Sequence, residues 1–137
     1  IVNKLYMKHL IIVSVIILVL DMLYLSNYGA KPFINMVEKI QNEKSIVKLS
    51  SAAVAYALLI LAVHQFVLEQ PSNYLRAFML GLIIYGVFDS TNMALFNKYD
   101  IQIAIEDSLW GGILFATTLY IYNIIVDLKI PKGLFTN

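Results

Sequence analysis

Three aspartates lie inside apolar stretches of this sequence, a position at which an ionisable residue usually serves a function. They are Asp21, Asp89 and Asp107. At the centre of a membrane helix an aspartate costs about 2.5–3.5 kcal/mol on insertion scales. Hydrogen bonds between polar side chains of neighbouring membrane helices contribute only about 0.6 kcal/mol on average. These magnitudes favour a functional site over side chains that only hold helices together.

Each aspartate has a polar or amphipathic residue three positions later, which is one helical turn away on the same face. The pairs are Asp21 with Tyr24, Asp89 with Asn92, and Asp107 with Trp110. We therefore expect these six residues to line a polar cavity within the membrane. Lys48 is the candidate counter-ion, because a lysine near a helix end can extend along its apolar stem towards buried carboxylates.

A cavity of this kind can bind or relay a proton or a cation, or bind the headgroup of a lipid or of another small polar molecule. Hard cations take oxygen ligands, which the three aspartates and Asn92 can supply. No spacing in the sequence requires a metal, so we predict no metal site. No motif in the sequence indicates a cofactor.

Four apolar stretches must position these residues. The chain has 137 residues, of which 60% are hydrophobic and 14% charged, whereas soluble domains average about 45–50% and about 25%. Each stretch can cross about 30 Å of hydrocarbon as a helix. They lie near residues 10–28, 46–68, 75–96 and 103–126. We predict an all-α integral membrane protein, with residues 1–137 forming a single transmembrane domain.

Short polar connections join the last three stretches, so consecutive helices run antiparallel in an up-down-up-down four-helix bundle. The ends of the first and third stretches and the start of the fourth then face the same side. This arrangement places all three aspartates roughly 6–10 Å below one interface, at about 1.5 Å per residue.

The first connection is longer and has a helical pattern of its own. After Pro32, apolar side chains recur at helical spacing, with polar ones between them. The apolar residues are Phe33, Met36, Val37 and Ile40. We predict a short amphipathic helix near residues 32–44 that lies in the membrane interface. The alternative is an ordinary polar loop.

Charge identifies neither a nucleic-acid partner nor an orientation by itself. The net charge is +1 and the basic residues form no stripe, so we expect no nucleic-acid binding. The ten basic residues divide evenly between the two sides of the predicted bundle. Lys4 and Lys8 flank the first helix to insert, and we expect the termini on the cytoplasmic side. The first stretch is too long for a signal peptide and Asp21 interrupts it, so we expect it to be retained.

Motifs around the aspartates extend over nearly the whole chain. They comprise Leu20-Asp21 with Tyr24-Leu25, Pro32-Phe33, Tyr85 with Asp89, Thr91, Asn92 and Ala94, and Asp107 with Trp110-Gly111. With its Asp-x-Thr-Asn and Asp-x-x-Trp-Gly motifs, the chain resembles an uncharacterised family of small predicted four-helix membrane proteins, known only as a domain of unknown function. Tyr24 and Tyr99 stand where such sequences often have Trp. The resemblance implies the topology and marks the same aspartates, and it implies no established activity.

Several enzyme classes are excluded by the residues present. The chain has no cysteine, which rules out disulfides, thiolate metal sites and cysteine nucleophiles. It also lacks a His-Glu-x-x-His zinc motif, a phosphate-binding glycine loop and a Gly-x-Ser-x-Gly nucleophile elbow. The sequence leaves open whether the protein is an enzyme.

Two further functions compete with ligand binding or relay. One is a membrane-embedded enzyme that modifies a lipid, with Asp89 or Asp107 as general acid or base. The other is a structural subunit of a larger assembly, which predicts a densely packed, dry layer of aspartates. The expected partners are the bilayer, a lipid or small polar ligand, and either further copies of the chain or other subunits of a membrane assembly.

Overall fold

The computed structural model describes residues 4–68 and 72–129, and these are almost entirely helical. Two runs of α-helix continue into a π-helical turn, so the element order is α1 (Lys4–Tyr24), a π-turn (Leu25–Gly29), α2 (Ala30–Gln41), α3 (Leu49–Val63), a second π-turn (His64–Leu68), α4 (Tyr74–Leu95) and α5 (Ile101–Lys129). No strand occurs in these two segments. The predicted all-α class is confirmed.

Four helical runs are long and apolar enough to cross a membrane, which confirms the predicted integral membrane protein. They are Lys4–Gln41, Leu49–Leu68, Tyr74–Leu95 and Ile101–Asp127. The second begins at Leu49 rather than near Ile46, because Lys48 has extended backbone angles and stands at the N-cap of α3. The β-branched pair Ile46 and Val47 before it has a weak preference for helix.

The amphipathic segment is helical and continuous with the first membrane helix. The π-turn joins α1 to α2 without an intervening loop. The last residue of α2 is Gln41, because the left-handed backbone of Asn42 (φ 55°) stops the helix. Met36 is the buried residue of α2, and its sulfur accepts a hydrogen bond from the Asp100 amide at 3.1 Å. Lys98 donates to the Lys39 carbonyl at 3.3 Å. These contacts hold α2 against the α4–α5 connection. The location of α2 in a membrane interface stays a prediction.

The closest helix pair is α4 with α5, and glycines set its spacing. A Cβ atom at Gly81 would lie 2.0 Å from the carbonyl oxygen of Gly111, and one at Gly112 would lie 2.6 Å from the ring of Phe78. Small residues allow membrane helices to approach at backbone distance, where dispersion contacts are strongest. The α4–α5 hairpin is therefore the rigid unit that carries Asp89, Asp107 and their neighbours.

The apolar core lies nearer the opposite end of the bundle from the aspartates. Its fully or almost fully buried members are Val13, Ile17, Val63, Val67, Ala77, Leu114, Phe115 and Leu119. The helix α1 packs on α5, and α3 packs mainly against α1. As a result, α3 stands apart from α4 at the end of the molecule where the aspartates lie.

Gly81→Ala is expected to lower the thermal stability of the protein, measured by circular dichroism in lipid nanodiscs. The added methyl group meets a backbone oxygen that cannot move aside, and overpacking of this kind costs about 1–3 kcal/mol. Gly86→Ala is the matched control, because the nearest atom to its added Cβ is Ser108 Oγ at 3.7 Å. Equal melting temperatures for the two variants would contradict the close approach of α4 and α5.

Candidate functional site

Asp21 is bound by two side chains from two other helices. Tyr56 of α3 donates its hydroxyl to one carboxylate oxygen at 2.5 Å, and the indole N–H of Trp110 on α5 donates to the other at 2.8 Å. The Asp21 side chain is 6% exposed. Each carboxylate oxygen of this buried side chain thus has a donor, which removes most of the penalty for burying it.

Tyr24 contributes to this cluster through its ring. It stacks on the indole of Trp110 with a centroid distance of 4.0 Å and an interplanar angle of 11°. The ring also lies over Gly29, where a Cβ atom would come within 2.3 Å of it. The glycine at the end of the π-turn therefore makes room for the aromatic pair, and α1 can continue into α2 beside it.

Asp89 has its own pair of donors on the α4–α5 hairpin. The hydroxyl of Tyr99 donates to one oxygen at 2.8 Å, and the hydroxyl of Ser108 donates to the other at 3.1 Å. Asp89 is 1% exposed. Gly86, one turn earlier on α4, lies beside Ser108 and leaves space for it.

Tyr99 lies in the connection between α4 and α5, outside the membrane-spanning helices. Burial and the hydrogen bond to Asp89 raise the pKa of the Tyr99 hydroxyl above its ordinary value. The hydroxyl therefore stays protonated at physiological pH and remains a donor to Asp89. The side chain of Asn92 donates to the Phe88 carbonyl of its own helix at 3.0 Å and is also a hydrogen-bond neighbour of the Tyr99 hydroxyl.

Asp107 differs from the other two aspartates. Within residues 4–68 and 72–129 its carboxyl group has no hydrogen bond and no ion pair, and the side chain is partly buried. Asp89 and Asp21 lie near enough for their negative charges to repel a negative charge on the Asp107 carboxyl group. Its neighbour Glu106 accepts a hydrogen bond from Gln102 at 3.0 Å. Asp107 is thus the aspartate whose carboxyl group is available to another molecule.

Two cavities meet at Asp107. The first, which we call the aromatic cavity, has a volume of about 270 Å³ and lies between the π-turn, α2 and the start of α5. The residues that characterise it are Tyr24, Tyr28, Phe33, Glu106 and Asp107. It combines aromatic side chains with two carboxyl groups.

The second, which we call the apolar cavity, has a volume of about 510 Å³ and lies between α3 and α4. Its walls include Ala52, Ala55, Leu58, Leu59, Ile84 and Phe88. Asp21, Tyr56, Tyr85 and Asp107 also line it. Phe33 and Asp107 line both cavities, so the aromatic and apolar cavities adjoin at these two residues.

The six residues predicted to line one cavity divide into separate groups. Asp21, Tyr24 and Trp110 form one cluster, whereas Asp89 lies with Ser108 beside a different cavity of about 370 Å³ on the α4–α5 hairpin. The same-helix pairs do not bond to each other; the donors come from other elements. Lys48 is exposed and makes no ion pair within the part of the chain that the structure describes, and its role as counter-ion stays a prediction.

The sequence pattern did not identify three side chains that donate hydrogen bonds to the aspartates: Tyr56, Tyr99 and Ser108. Tyr56 is the one polar signal in the middle of an Ala- and Leu-rich stretch, and that isolation could have identified it. Ser108 follows Asp107 directly, so a search along one helical face does not associate it with an aspartate on another helix. Tyr99 lies in a polar connection, where tyrosines are common at membrane interfaces and do not by themselves indicate a buried partner.

A second polar cluster lies at the opposite end of the bundle. Tyr122 and His9 share a hydrogen bond, and Tyr6 packs against His64 with a centroid distance of 4.3 Å. Along α1 and α5 the fully buried core residues stand between this cluster and the aspartates. The two polar regions are therefore separated by apolar packing.

No group of three or more histidine or acidic side chains is placed to hold a metal ion within the described segments, 4–68 and 72–129. Asp21 and Asp89 accept hydrogen bonds on both oxygens, so a ligand on either carboxylate would share its oxygens with the donors that are already bound. What the arrangement offers chemically is one free carboxyl group between an aromatic and an apolar cavity.

Asp89→Asn and Asp107→Asn are expected to affect stability differently. In Asp89→Asn an amide nitrogen replaces an acceptor oxygen beside a hydroxyl donor, which should lower the free energy of unfolding by about 2 kcal/mol. Asp107→Asn loses no hydrogen bond and removes charge near two other carboxylates, so its stability should equal or exceed that of the wild type. Thermal unfolding of both variants in nanodiscs measures this. Equal losses would mean that Asp107 also holds the bundle together.

Comparison with known proteins agrees with this architecture. A family model described as "Predicted membrane protein (DUF2177)" matches residues 6–122, which include all four membrane helices in whole or in large part. Searches of curated proteins and of solved structures found no match. The chain therefore belongs to this family of predicted membrane proteins, whose function is unknown.

Proposed function

We propose that this membrane protein binds an amphiphilic molecule dissolved in the bilayer. Asp107 holds the polar group of the ligand, and the apolar cavity holds its hydrocarbon chain. The observation that carries the proposal is the position of Asp107, whose carboxyl group has no hydrogen bond among the described residues and faces two adjoining cavities. The side chain is partly buried, so a ligand that donates to this carboxyl group gains a hydrogen bond that the described residues do not already make.

The dimensions and lining of the apolar cavity support this function. Ligand pockets commonly measure about 300–1,000 Å³ and are mostly apolar with a few polar groups that fix orientation. The apolar cavity, at about 510 Å³, falls in this range. Its polar groups come from four helices and converge on one region; they are Asp21, Tyr56, Tyr85 and Asp107.

The ligand can reach this cavity from the hydrocarbon. Two of its lining residues, Leu58 and Phe88, are 62% and 51% exposed on the outer surface of the helices. Because α3 packs mainly against α1, the gap between α3 and α4 opens sideways towards lipid. Entry from the membrane suits a molecule that is already dissolved there.

Binding is favoured over proton relay across the membrane. A relay needs a chain of polar or ionisable groups from one face to the other. Here Val13, Ile17 and Phe115, each 0% exposed, stand between the aspartates and the histidine cluster. The two cavities beside Asp107 likewise favour binding over a structural subunit, for which a dry and densely packed layer is expected.

A second candidate function is an enzyme that modifies a lipid. The same free carboxyl group favours it, because a general acid or base must have a proton site that is not committed to other partners. Asp107 then fills this role. Asp89 is the weaker candidate, since Tyr99 and Ser108 bind its oxygens. Mass spectrometry of retained molecules distinguishes the two functions: an enzyme retains a pair that differs by one chemical group.

Ala55→Leu is expected to remove most of the amphiphile that copurifies with the protein, because the larger side chain fills the apolar cavity. Native mass spectrometry of protein purified in nanodiscs measures the retained molecule. Ala53→Leu is the matched control: this residue is on the same helix, is exposed, and lines none of the cavities described above. Wild-type protein that retains nothing, or equal retention by all three proteins, would contradict the proposed function.

A further inference from the structure

We infer that the ligand is an organic ammonium amphiphile: one hydrocarbon chain with a positively charged nitrogen at its end and no phosphate. This inference rests on the proposed binding function and names the chemical class of the ligand. The nitrogen occupies the aromatic cavity beside Asp107, and the chain extends into the apolar cavity.

The charge of the lining determines the sign of the ligand. Asp107 and Glu106 line the aromatic cavity, and Asp21 and Asp107 line the apolar one. Among the described residues that line either cavity there is no lysine, arginine or histidine. A partly buried carboxylate is stabilised by a cation beside it, and no described residue that lines either cavity supplies one, so a cationic ligand is favoured. A phosphate or carboxylate headgroup would be repelled by these acidic side chains and would bind more weakly than an ammonium group.

Aromatic rings favour an organic cation over a metal ion. Tyr24, Tyr28 and Phe33 line the aromatic cavity, and the faces of such rings attract ammonium groups. Tyr24 is held in place by its stacking on Trp110. A hard metal ion would need several oxygen ligands instead. The described residues place no group of three acidic or histidine side chains for that purpose.

The shape of the site indicates a single chain. One apolar cavity leads away from Asp107, and its walls are alanine, leucine, isoleucine and phenylalanine side chains from α3 and α4. Phe33 of α2 stands where the two cavities adjoin, between the position of the nitrogen and that of the chain. An amphiphile with one chain fills both cavities without leaving a second chain to be placed elsewhere.

The test compares probes that share one chain and differ in the charge of the headgroup: dodecylamine, dodecanol and dodecanoate. Trp110 is the single tryptophan of the chain and stacks on Tyr24 at the aromatic cavity, so its fluorescence reports binding. Affinities are measured in phosphatidylcholine nanodiscs as mole fractions in the bilayer, which removes differences in partitioning. We expect dodecylamine to bind at least about tenfold more tightly than dodecanol, and dodecanoate more weakly than either.

Variants attribute this difference to named residues. Asp107→Asn should weaken dodecylamine binding at least about tenfold and dodecanol binding by much less, because the asparagine amide can still bond to a hydroxyl but carries no charge. Glu106→Gln should produce a smaller loss in the same direction, and it keeps the test valid if Asp107→Asn does not fold. Asp127→Asn is the control, because this exposed carboxylate of α5 lines neither cavity.

The outcomes separate this inference from the function on which it rests. Equal affinity for dodecylamine and dodecanol, both lost in Ala55→Leu, would overturn the ammonium class and leave amphiphile binding in place. Binding of a single-chain phosphatidylcholine as tight as that of dodecylamine would overturn the exclusion of phosphate. Wild-type protein that binds none of the probes would overturn both the inference and the proposed function.

Discussion

The hydrogen bond from Trp110 to Asp21 joins α1 to α5 at a carboxylate that is almost completely buried. Both groups belong to helices whose polar atoms would otherwise face hydrocarbon, so the bond fixes how the two helices meet. The Tyr56 hydroxyl donates to the other oxygen of the Asp21 carboxylate, and this bond brings α3 to the same point. Stacking of Tyr24 on the indole then sets the π-turn and the start of α2. One buried carboxylate thereby fixes the relative positions of four helices.

The α4–α5 hairpin supplies the other half of the architecture. Its backbones approach at Gly81 and Gly111, and this contact places Trp110 at the level of Asp21 and Ser108 at the level of Asp89. Helices in lipid gain little from apolar burial against one another, so close packing and polar bonds must provide the stability. The hairpin has both, whereas α3 depends on Tyr56 and on packing against α1. The weaker attachment of α3 is what leaves the apolar cavity open.

Much of this fold follows from apolar length alone. The four membrane helices and the helical α2 could be read from runs of residues, and Asp21, Asp89 and Asp107 could be recognised as charges within apolar stretches. The pairing of those aspartates could not. A search at helical spacing finds partners on the same helix, but Tyr56, Tyr99 and Ser108 reach them from other elements. Such contacts depend on how the helices are rotated about their axes. Packing between helices sets these rotations, and they cannot be read from a single sequence.

The three aspartates differ in how their carboxyl groups are bound. Two carboxyl groups are each bound by two donors, and these bonds account for their presence as parts of the structure. Asp107 contributes no such bond, yet it adds a third acidic group near the other two. Asp107 makes no hydrogen bond among the described residues and lies beside two cavities, and we therefore propose a ligand as its partner, since proteins commonly hold functional groups at the expense of stability. The apolar and aromatic walls then decide what that ligand is.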